Sequence, residues 1–439
     1  MDTANLPLDD YTILQHIHSN LSNSARLDRY MDQYLNHVLV YLNEPQKVLL
    51  AKHILELLGF RSFFFLQRSR YHNLALTRLV KRTLSNALQA DDMVLSGFFA
   101  QWLASYYILI GRELHEVESL LGIAKTSLEL RKAHGDTFLA IDELRFWLGY
   151  QAMTISGRLQ AHDDSSPREH LEAYLMRDDA LPMKKISIQL NLAAGELVAG
   201  ENNRAISRLI TIQKTLKDSA QYASWGIQPS DVIVRRYQHY LNLLYSIGCL
   251  RKDKLASAQN FLERVPMVHE EGQRFVQHDL RILAHLQYGN LLHAQNKLGE
   301  ALIHINHAKF EADKHGYQTL ARYAHYALAR LFIDMEQRDV ANAILETSND
   351  EQIMRYAHSD RWYASNLAYA LAYISSYSGK SPLTTKRHLA RATALHHKLK
   401  AFTHSIRLGE MIAQSVQDLG TGRPMQTKPL SLVPPVVVL

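Results

Sequence analysis

The sequence predicts an all-α protein, an α-solenoid built from antiparallel helical hairpins. Three observations lead to this prediction. Apolar residues recur at helical spacing from about Tyr11 to about Leu419, and no stretch alternates apolar and polar residues as a half-buried strand would. Helix breakers are few, with 19 glycines and 11 prolines in 439 residues. Short polar or glycine-containing segments interrupt the periodicity often enough to divide the chain into hairpins.

The overall composition fits a folded chain with a large core. Hydrophobic residues make up 47% of the sequence and charged residues 21%, which excludes global disorder. The formal net charge of +6 comes from 49 Lys and Arg against 43 Asp and Glu. This mild excess permits an acidic partner without requiring one.

Cysteine usage and hydropathy favour a cytoplasmic location. Cys249 is the single cysteine in the sequence, so an intrachain disulfide, a cysteine zinc site and a CxxC redox motif are excluded. A reducing compartment suits such a chain. The segment from Met1 to Asp10 carries acids rather than the basic and apolar regions of a secretory signal. Since no run of eighteen apolar residues occurs, we expect no membrane span.

The clearest repeat unit lies between residues 286 and 308. Its small residues, Gly289, Ala301 and Ala308, are spaced by twelve and then seven positions, and small side chains let two helix axes approach closely. This pattern resembles the tetratricopeptide repeat (TPR) family, in which small residues stand at those places. Two positions depart from the family pattern, since His285 replaces its early Trp and Asp313 replaces its helix-ending Pro. The larger apolar contacts are expected from Tyr288, Leu292 and Ile305.

Further repeat units are weaker copies of this pattern. One has Ala329 and Ala341 at the same twelve-residue spacing, and an earlier one has Ala193, a corner at Gly200, and Ala205. The pairs His134-Gly135 and His315-Gly316 each predict a helix that ends in a left-handed glycine. Repeats of about 40 residues resemble the degenerate TPR-like arrays in the sensor domains of bacterial regulators.

These signals divide the chain into three predicted parts. Residues 1–90 are expected to form an N-terminal helical cap or separate module, and residues 91–419 a TPR-like array. Residues 420–439 contain four prolines and end in Val-Val-Val-Leu, and we expect them to form a flexible tail.

The resemblance to TPR modules implies a non-catalytic scaffold, adaptor or sensor that binds a protein or peptide. In such solenoids the first helix of each hairpin lines a concave groove. An ordinary solvated helix face is the alternative interpretation of the same residues. The predicted groove residues are His285, Gln287, Asn290, His293, Tyr326, Arg330 and Asp334.

A basic segment supports a second hypothesis, a nucleic-acid-associated regulator that uses the repeats for sensing or dimerisation. Cations interleaved with aromatic residues suit phosphate contact and base stacking. The same segment also reads as a helix whose aromatic residues enter a core while its cations are solvated. The candidate cations are Arg61, Arg68, Arg70, Arg78, Lys81 and Arg82.

No residue pattern supports a reaction class, so we expect no enzymatic activity and no cofactor. Nucleophile elbows, glycine-rich fingerprints and kinase motifs are absent from the sequence. His304 and His307 share one helical face and would need a third ligand from another helix to hold a metal. We therefore predict no metal site. A homo-oligomer is compatible with the sequence.

Overall fold

The regular structure of the described residues is entirely helical. The computed structural model describes residues 72–110, 113–130, 141–142, 145, 167–178, 182–218, 232–266, 278–346, 360–377, 382–399, 402–434, 436 and 438. These residues form fifteen helices and no strand, which confirms the all-α prediction for them. The helices are α1 His72–Gln89, α2 Met93–Ile110, α3 Leu114–Leu130, α4 Pro167–Leu175, α5 Pro182–Ala199, α6 Asn202–Lys217, α7 Val232–Leu250, α8 Leu255–Leu262, α9 His278–Ala294, α10 Leu298–His315, α11 Gln318–Asp334, α12 Arg338–Glu346, α13 Arg361–Tyr377, α14 Pro382–His396 and α15 Thr403–Gly420.

None of these helices combines the length and apolarity that a membrane-spanning segment needs. The chain divides into two compact units. The first comprises residues 1–144, 269–279 and 314–317, and the second comprises residues 145–268, 280–313 and 318–439.

In the first unit α1 packs against α2, and α2 packs against α3. Gly97 marks the closest approach of the last two, because a Cβ atom at Gly97 would lie 2.2 Å from Oγ of Ser127. The predicted boundary at residue 90 falls between α1 and α2, which contact each other. The helix from His72 is therefore packed with the helices that follow it.

In the second unit, helices that are neighbours in sequence pack as hairpins. These pairs are α5 with α6, α7 with α8, α11 with α12, and α13 with α14. Gly289 of α9 faces α10, where an added Cβ would lie 2.3 Å from Cγ1 of Ile305. Small residues at the other predicted packing positions are also buried, with no more than 1% of their surface exposed: Ala193, Ala205, Ala301, Ala308, Ala329 and Ala341.

The corner inside each hairpin has one backbone geometry although its residue changes. Gly200, Asp253, Asn296 and Glu336 have φ angles of 85°, 55°, 60° and 61°. At each corner the N–H of the next residue donates to the carbonyl five residues earlier, over 2.8 to 2.9 Å. This is the Schellman helix ending. Left-handed φ is uncommon for residues other than glycine, so the recurrence shows that the hairpins are structurally alike. Gly316, predicted to be left-handed, has a φ of 75°.

First and second helices of the hairpins differ in how they are buried. In α13 every residue from Trp362 to Ser375 is buried, and α5 and α11 are covered nearly as completely. The second helices bury one stripe each, as α14 does with Thr385, Leu389 and Ala392. A helix buried on all sides needs neighbours on all sides. The first helices therefore have a further covering element besides their hairpin partners.

The last helix of the second unit contacts an early helix of the same unit as well as the two helices that precede it in sequence. Helix α15 packs against α14 and α13 and also contacts α5. His404 makes the contact with α5, since its Nδ1 lies 3.1 Å from the carbonyl oxygen of Val198. Glu196, one turn before that end of α5, is fully buried and accepts hydrogen bonds from Arg168 of α4 and Arg208 of α6, each over 2.9 Å.

Candidate functional site

One element that covers several of the first helices is the C-terminal segment, residues 421–439, called the tail below. After α15 the chain turns at Gly422, whose φ is 75°. The N–H of Arg423 donates to the carbonyl of Asp418 over 2.9 Å, and the N–H of Gln426 donates to the Asp418 carboxylate over 3.1 Å. Asp418 thus fixes the direction in which the tail leaves α15.

The tail is packed, which differs from the flexible segment that the sequence predicts. Met425 and Val438 are 0% exposed and Val436 is 1% exposed. Proline removes backbone donors and prevents a helix, but it does not prevent an extended chain from being held by side chains. Here the partners of the tail come from several helices of the second unit.

Three tyrosine hydroxyls hold the tail through its backbone. Two of them lie on α13 and one on α11, and all donate to carbonyl oxygens. Such bonds depend on an extended backbone and not on the identity of the tail side chain. The pairs are Tyr377 to Met425 at 2.9 Å, Tyr369 to Thr427 at 2.8 Å, and Tyr326 to Leu430 at 3.1 Å.

The side-chain amide of Asn191 on α5 binds the backbone of Val438, near the end of the tail, through both its nitrogen and its oxygen. Its Nδ2 donates to the carbonyl of Val438 over 2.6 Å, and its Oδ1 accepts from the N–H of Val438 over 2.9 Å. Ser187, one turn earlier, donates to the same carbonyl over 3.2 Å. This pair of bonds resembles the pairing of two β-strand residues. Asn191 is completely buried, so the bonds are shielded from water.

Lys428 of the tail forms an ion pair with Asp334 on the surface beneath it. Its Nζ lies 2.5 Å from Oδ1 of Asp334, whose other oxygen lies 2.8 Å from Nε2 of His293. Burial opposes ionisation of Asp334. The hydrogen bonds from His293 and Lys428 nevertheless keep the pKa of the carboxyl well below its usual range. Asp334 is therefore a carboxylate placed to bind a basic residue of an extended chain.

Arg251, directly after α7, binds the middle of the tail. One of its guanidinium nitrogens donates to the carbonyl of Ser431 over 3.1 Å, and the other lies 3.2 Å from Nε2 of His404. Burial and the charges of Arg330 and Arg407 lower the pKa of Arg251 to about 10. Burial, followed by the charge of Arg251, lowers the pKa of His404 to about 4. His404 is thus neutral at physiological pH.

We call the side chains that face the tail the tail-facing surface. Seven of them contact the tail, directly or through one other side chain: Asn191, Arg251, His293, Tyr326, Asp334, Tyr369 and Tyr377. Their hydrogen bonds suit the binding of an extended peptide backbone with a basic side chain at one position.

The predicted groove residues divide between this surface and contacts among helices. His293, Tyr326 and Asp334 belong to the tail-facing surface. Arg330 lies on α11 one helical turn after Tyr326 and one turn before Asp334. His285 and Gln287 have other partners. Nδ1 of His285 lies 3.1 Å from Nδ1 of His304 on α10, and the buried amide of Gln287 donates to Ser246 of α7 over 3.2 Å. For Asn290 the structure gives a half-buried position on α9.

The histidines considered for a metal form ring contacts between α9 and α10. The ring of His285 lies tilted against those of His307 and His304, with centroids 4.2 Å and 5.3 Å apart. Burial, followed by the charges of these two rings, lowers the pKa of His285 to about 3. The contact of the two Nδ1 atoms requires one ring to donate and the other to accept, so it suits neutral imidazoles.

The basic segment of the nucleic-acid hypothesis lies mostly outside the described residues. Arg61, Arg68 and Arg70 are outside them, and of Arg78 the structure describes only its place in α1. Lys81 and Arg82 are exposed on the same helix. Nζ of Lys81 lies 3.4 Å from the Glu116 carboxylate of α3, so this cation is paired within the fold.

Several tail-binding residues were not predicted from sequence. Asn191 had a usable signal, because an asparagine is unfavourable inside a helix and this one interrupts an apolar run. Tyr369 and Tyr377 lie two turns apart on α13, a spacing that places them on one face. Arg251 and Lys428 carry no such signal, since a charged residue after a helix or in a proline-rich segment is ordinary.

Comparisons with protein-family models and with curated proteins give no match to this chain.

Proposed function

We propose that this protein is a non-catalytic scaffold or sensor of TPR-like architecture that binds an extended peptide segment of a partner on its tail-facing surface. The observation that carries the proposal is the tail itself. Side chains from α5, α11 and α13 hold it by hydrogen bonds to its backbone. The surface therefore already has the chemistry needed to bind a peptide.

The contacts are of a kind that a second peptide could make in place of the tail. Tyrosine hydroxyls and an asparagine amide bind any extended backbone, while buried tail positions such as Met425 and Val438 select apolar side chains. The ion pair of Lys428 with Asp334 adds a preference for a basic residue. An apolar, proline-containing segment with one cation is the expected ligand class, and a proline-rich segment loses little conformational entropy on binding.

The tethered tail competes with any such partner. A segment joined to its binding site by a short linker acts at an effective concentration of about 1 mM. A partner must therefore bind more tightly than the tail or reach a high local concentration. The tail then sets a threshold for binding, which suits a sensor.

The proposal is tested with a labelled peptide of residues 423–439 and two forms of the full chain. The released-tail variant carries Met425→Asp and Val438→Asp, which place charges at two fully buried tail positions without altering the helices. We expect the peptide to bind the released-tail variant and to bind the unaltered chain at least tenfold more weakly, as measured by fluorescence polarisation.

Two controls make this result interpretable. A peptide of the same composition in scrambled order should bind more weakly, and Asn191→Ala in the released-tail variant should weaken the unscrambled peptide. Circular dichroism establishes that each variant keeps its helices. If the folded released-tail variant binds neither peptide, the tail-facing surface is not a peptide-binding site and the proposal is wrong.

A further inference from the structure

At one position the tail places a cation against a carboxylate of the surface beneath it. At another position it places a neutral residue against a cation of that surface. Lys428 lies against the Asp334 carboxylate at 2.5 Å. Three residues later, Ser431 meets the guanidinium group of Arg251 with only a backbone carbonyl. From Arg423 to Leu439 the sequence contains no Asp or Glu. The tail therefore has no acidic side chain to offer this cation.

Two further arginines, Arg330 and Arg407, lie close enough to Arg251 for their charges to act on it. Tyr326, which holds the carbonyl of Leu430, lies one turn before Arg330 on the same face of α11. His404, which contacts Arg251 directly, lies one turn before Arg407 on α15. The charges of Arg330 and Arg407 both act on Arg251, and they disfavour its charged form. Like charges held together in this way attract an anion.

We propose that the partner segment which replaces the tail carries an Asp or Glu at the position of Ser431, three residues after a basic residue at the position of Lys428. This inference rests on the proposed function, because it assumes that a peptide binds where the tail lies. It adds the charge pattern of that peptide, a cation followed by an acid.

The carboxylate would improve on the tail in two ways. It accepts charge-assisted hydrogen bonds from Arg251, which are stronger than the bond to a neutral carbonyl. It also offsets the repulsion of Arg251 by Arg330 and by Arg407. The neutral Ser431 makes the tail the weaker of the two occupants, so a partner with the full charge pattern competes with the tethered tail at a lower concentration than a partner without the acid.

The test compares three labelled peptides of residues 423–439 on the released-tail variant: the unaltered sequence, Ser431→Glu, and Ser431→Gln. Gln matches Glu in size and still presents a carbonyl oxygen as an acceptor, but it carries no charge. We expect the Glu peptide to bind roughly tenfold more tightly than the Gln peptide. The ratio should shrink as salt is raised, and it should fall towards one when the protein also carries Arg251→Gln, which removes the cation that the carboxylate would contact.

A second measurement uses the intact chain and needs no peptide. Ser431→Glu in the full protein should protect the tail from proteolysis and raise Tm relative to Ser431→Gln. Equal binding of the Glu and Gln peptides, together with equal Tm values, would overturn this inference and leave the proposed function standing. Failure of all three peptides to bind the folded released-tail variant would overturn both.

Discussion

Asn191→Ala removes two of the three hydrogen bonds that the structure gives to the backbone of Val438, since Ser187 keeps its own, and we expect it to free the end of the tail. The two bonds, at 2.6 and 2.9 Å, are made by a completely buried side chain. Loss of a buried neutral hydrogen bond costs about 1 kcal/mol where the remaining group keeps another partner, as the Val438 carbonyl keeps Ser187, and about 1–3 kcal/mol where that group is left unsatisfied, as the Val438 N–H is. If the tail stayed in place, the free energy of unfolding would fall by about 2–4 kcal/mol.

Detachment of the tail sets an upper limit on this loss. Once the tail leaves, the N–H and C=O of Val438 bond to water, so the cost of Asn191→Ala cannot exceed the free energy with which that segment docks. A double-mutant cycle separates this contribution from any role of Asn191 within α5, where its Nδ2 also donates to the carbonyl of Ser187 over 3.1 Å. The cycle combines Asn191→Ala with deletion of residues 421–439.

Urea unfolding of the four proteins gives the coupling energy, which we expect to be at least about 1 kcal/mol. Hydrogen exchange at the amide of Val438 should accelerate in Asn191→Ala alone. Gln189→Ala, a change two positions away on the same helix, serves as the matched control and should leave that amide protected. If Asn191→Ala costs the same with and without the tail, the asparagine stabilises only its own helix and our account of the tail is refuted.

Three further predictions concern packing, charge and pH. Gly289→Ala should lower the free energy of unfolding by about 1–3 kcal/mol in urea titration, because its Cβ would lie 2.3 Å from Ile305. Gly299→Ala, whose Cβ would meet nothing within 4 Å, should raise it by about 0.5–1 kcal/mol, and a loss at both sites would contradict the packing. Glu196→Ala should cost about 3 kcal/mol by the same measurement, since it leaves the surrounding arginines without their buried carboxylate; a loss under 1 kcal/mol would be inconsistent with this. The pKa of His404 is about 4 when folded and about 6.5 when unfolded, so the unfolded chain binds the proton first and stability falls as pH drops from about 6.5 towards 4. At pH 5 the loss is about 2 kcal/mol, and thermal unfolding at pH 7 and pH 5 should show a smaller difference for His404→Gln.

The helical hairpins could be predicted from sequence because their determinants are local. The spacing of Gly289, Ala301 and Ala308 encodes a contact between two adjacent helices, and the structure shows these residues at that contact. The corners at Gly200 and Asn296 were also predictable, since both residues tolerate left-handed φ. The equivalent corner at Glu336 was not, because its conformation is imposed by the helices on either side.

The face of α9 was predicted less well, because periodicity gives the angle between residues but not the direction in which a face points. His285 and Gln287 lie between the packing positions, and in an isolated hairpin they would be exposed. In the structure α9 has neighbours on more than one side, so these residues contact α10 and α7 instead of the tail. On α11, Tyr326 and Asp334 contact the tail, which covers the remaining side of that helix.

The tail was the feature that composition described least well. Its prolines indicate the absence of regular secondary structure, which by itself does not distinguish a flexible segment from an extended segment packed on the helices. The run Val436 to Val438 carried a contrary signal, since apolar residues outside any helix gain free energy by being covered. The structure buries Val436 and Val438, and it holds the backbone of Val438 against α5 through a long-range contact that no local pattern encodes.

The docked tail also changes how a binding experiment on this protein should be read. At an effective concentration of about 1 mM, a tail with an intrinsic Kd of 10 μM would weaken the apparent affinity of a competing peptide about a hundredfold. A screen with the intact chain would then miss every partner that does not exceed this threshold. The released-tail variant removes the threshold while it keeps the tail-facing surface, so a partner segment with the cation and acid pattern should be recovered by that variant in preference to the intact chain.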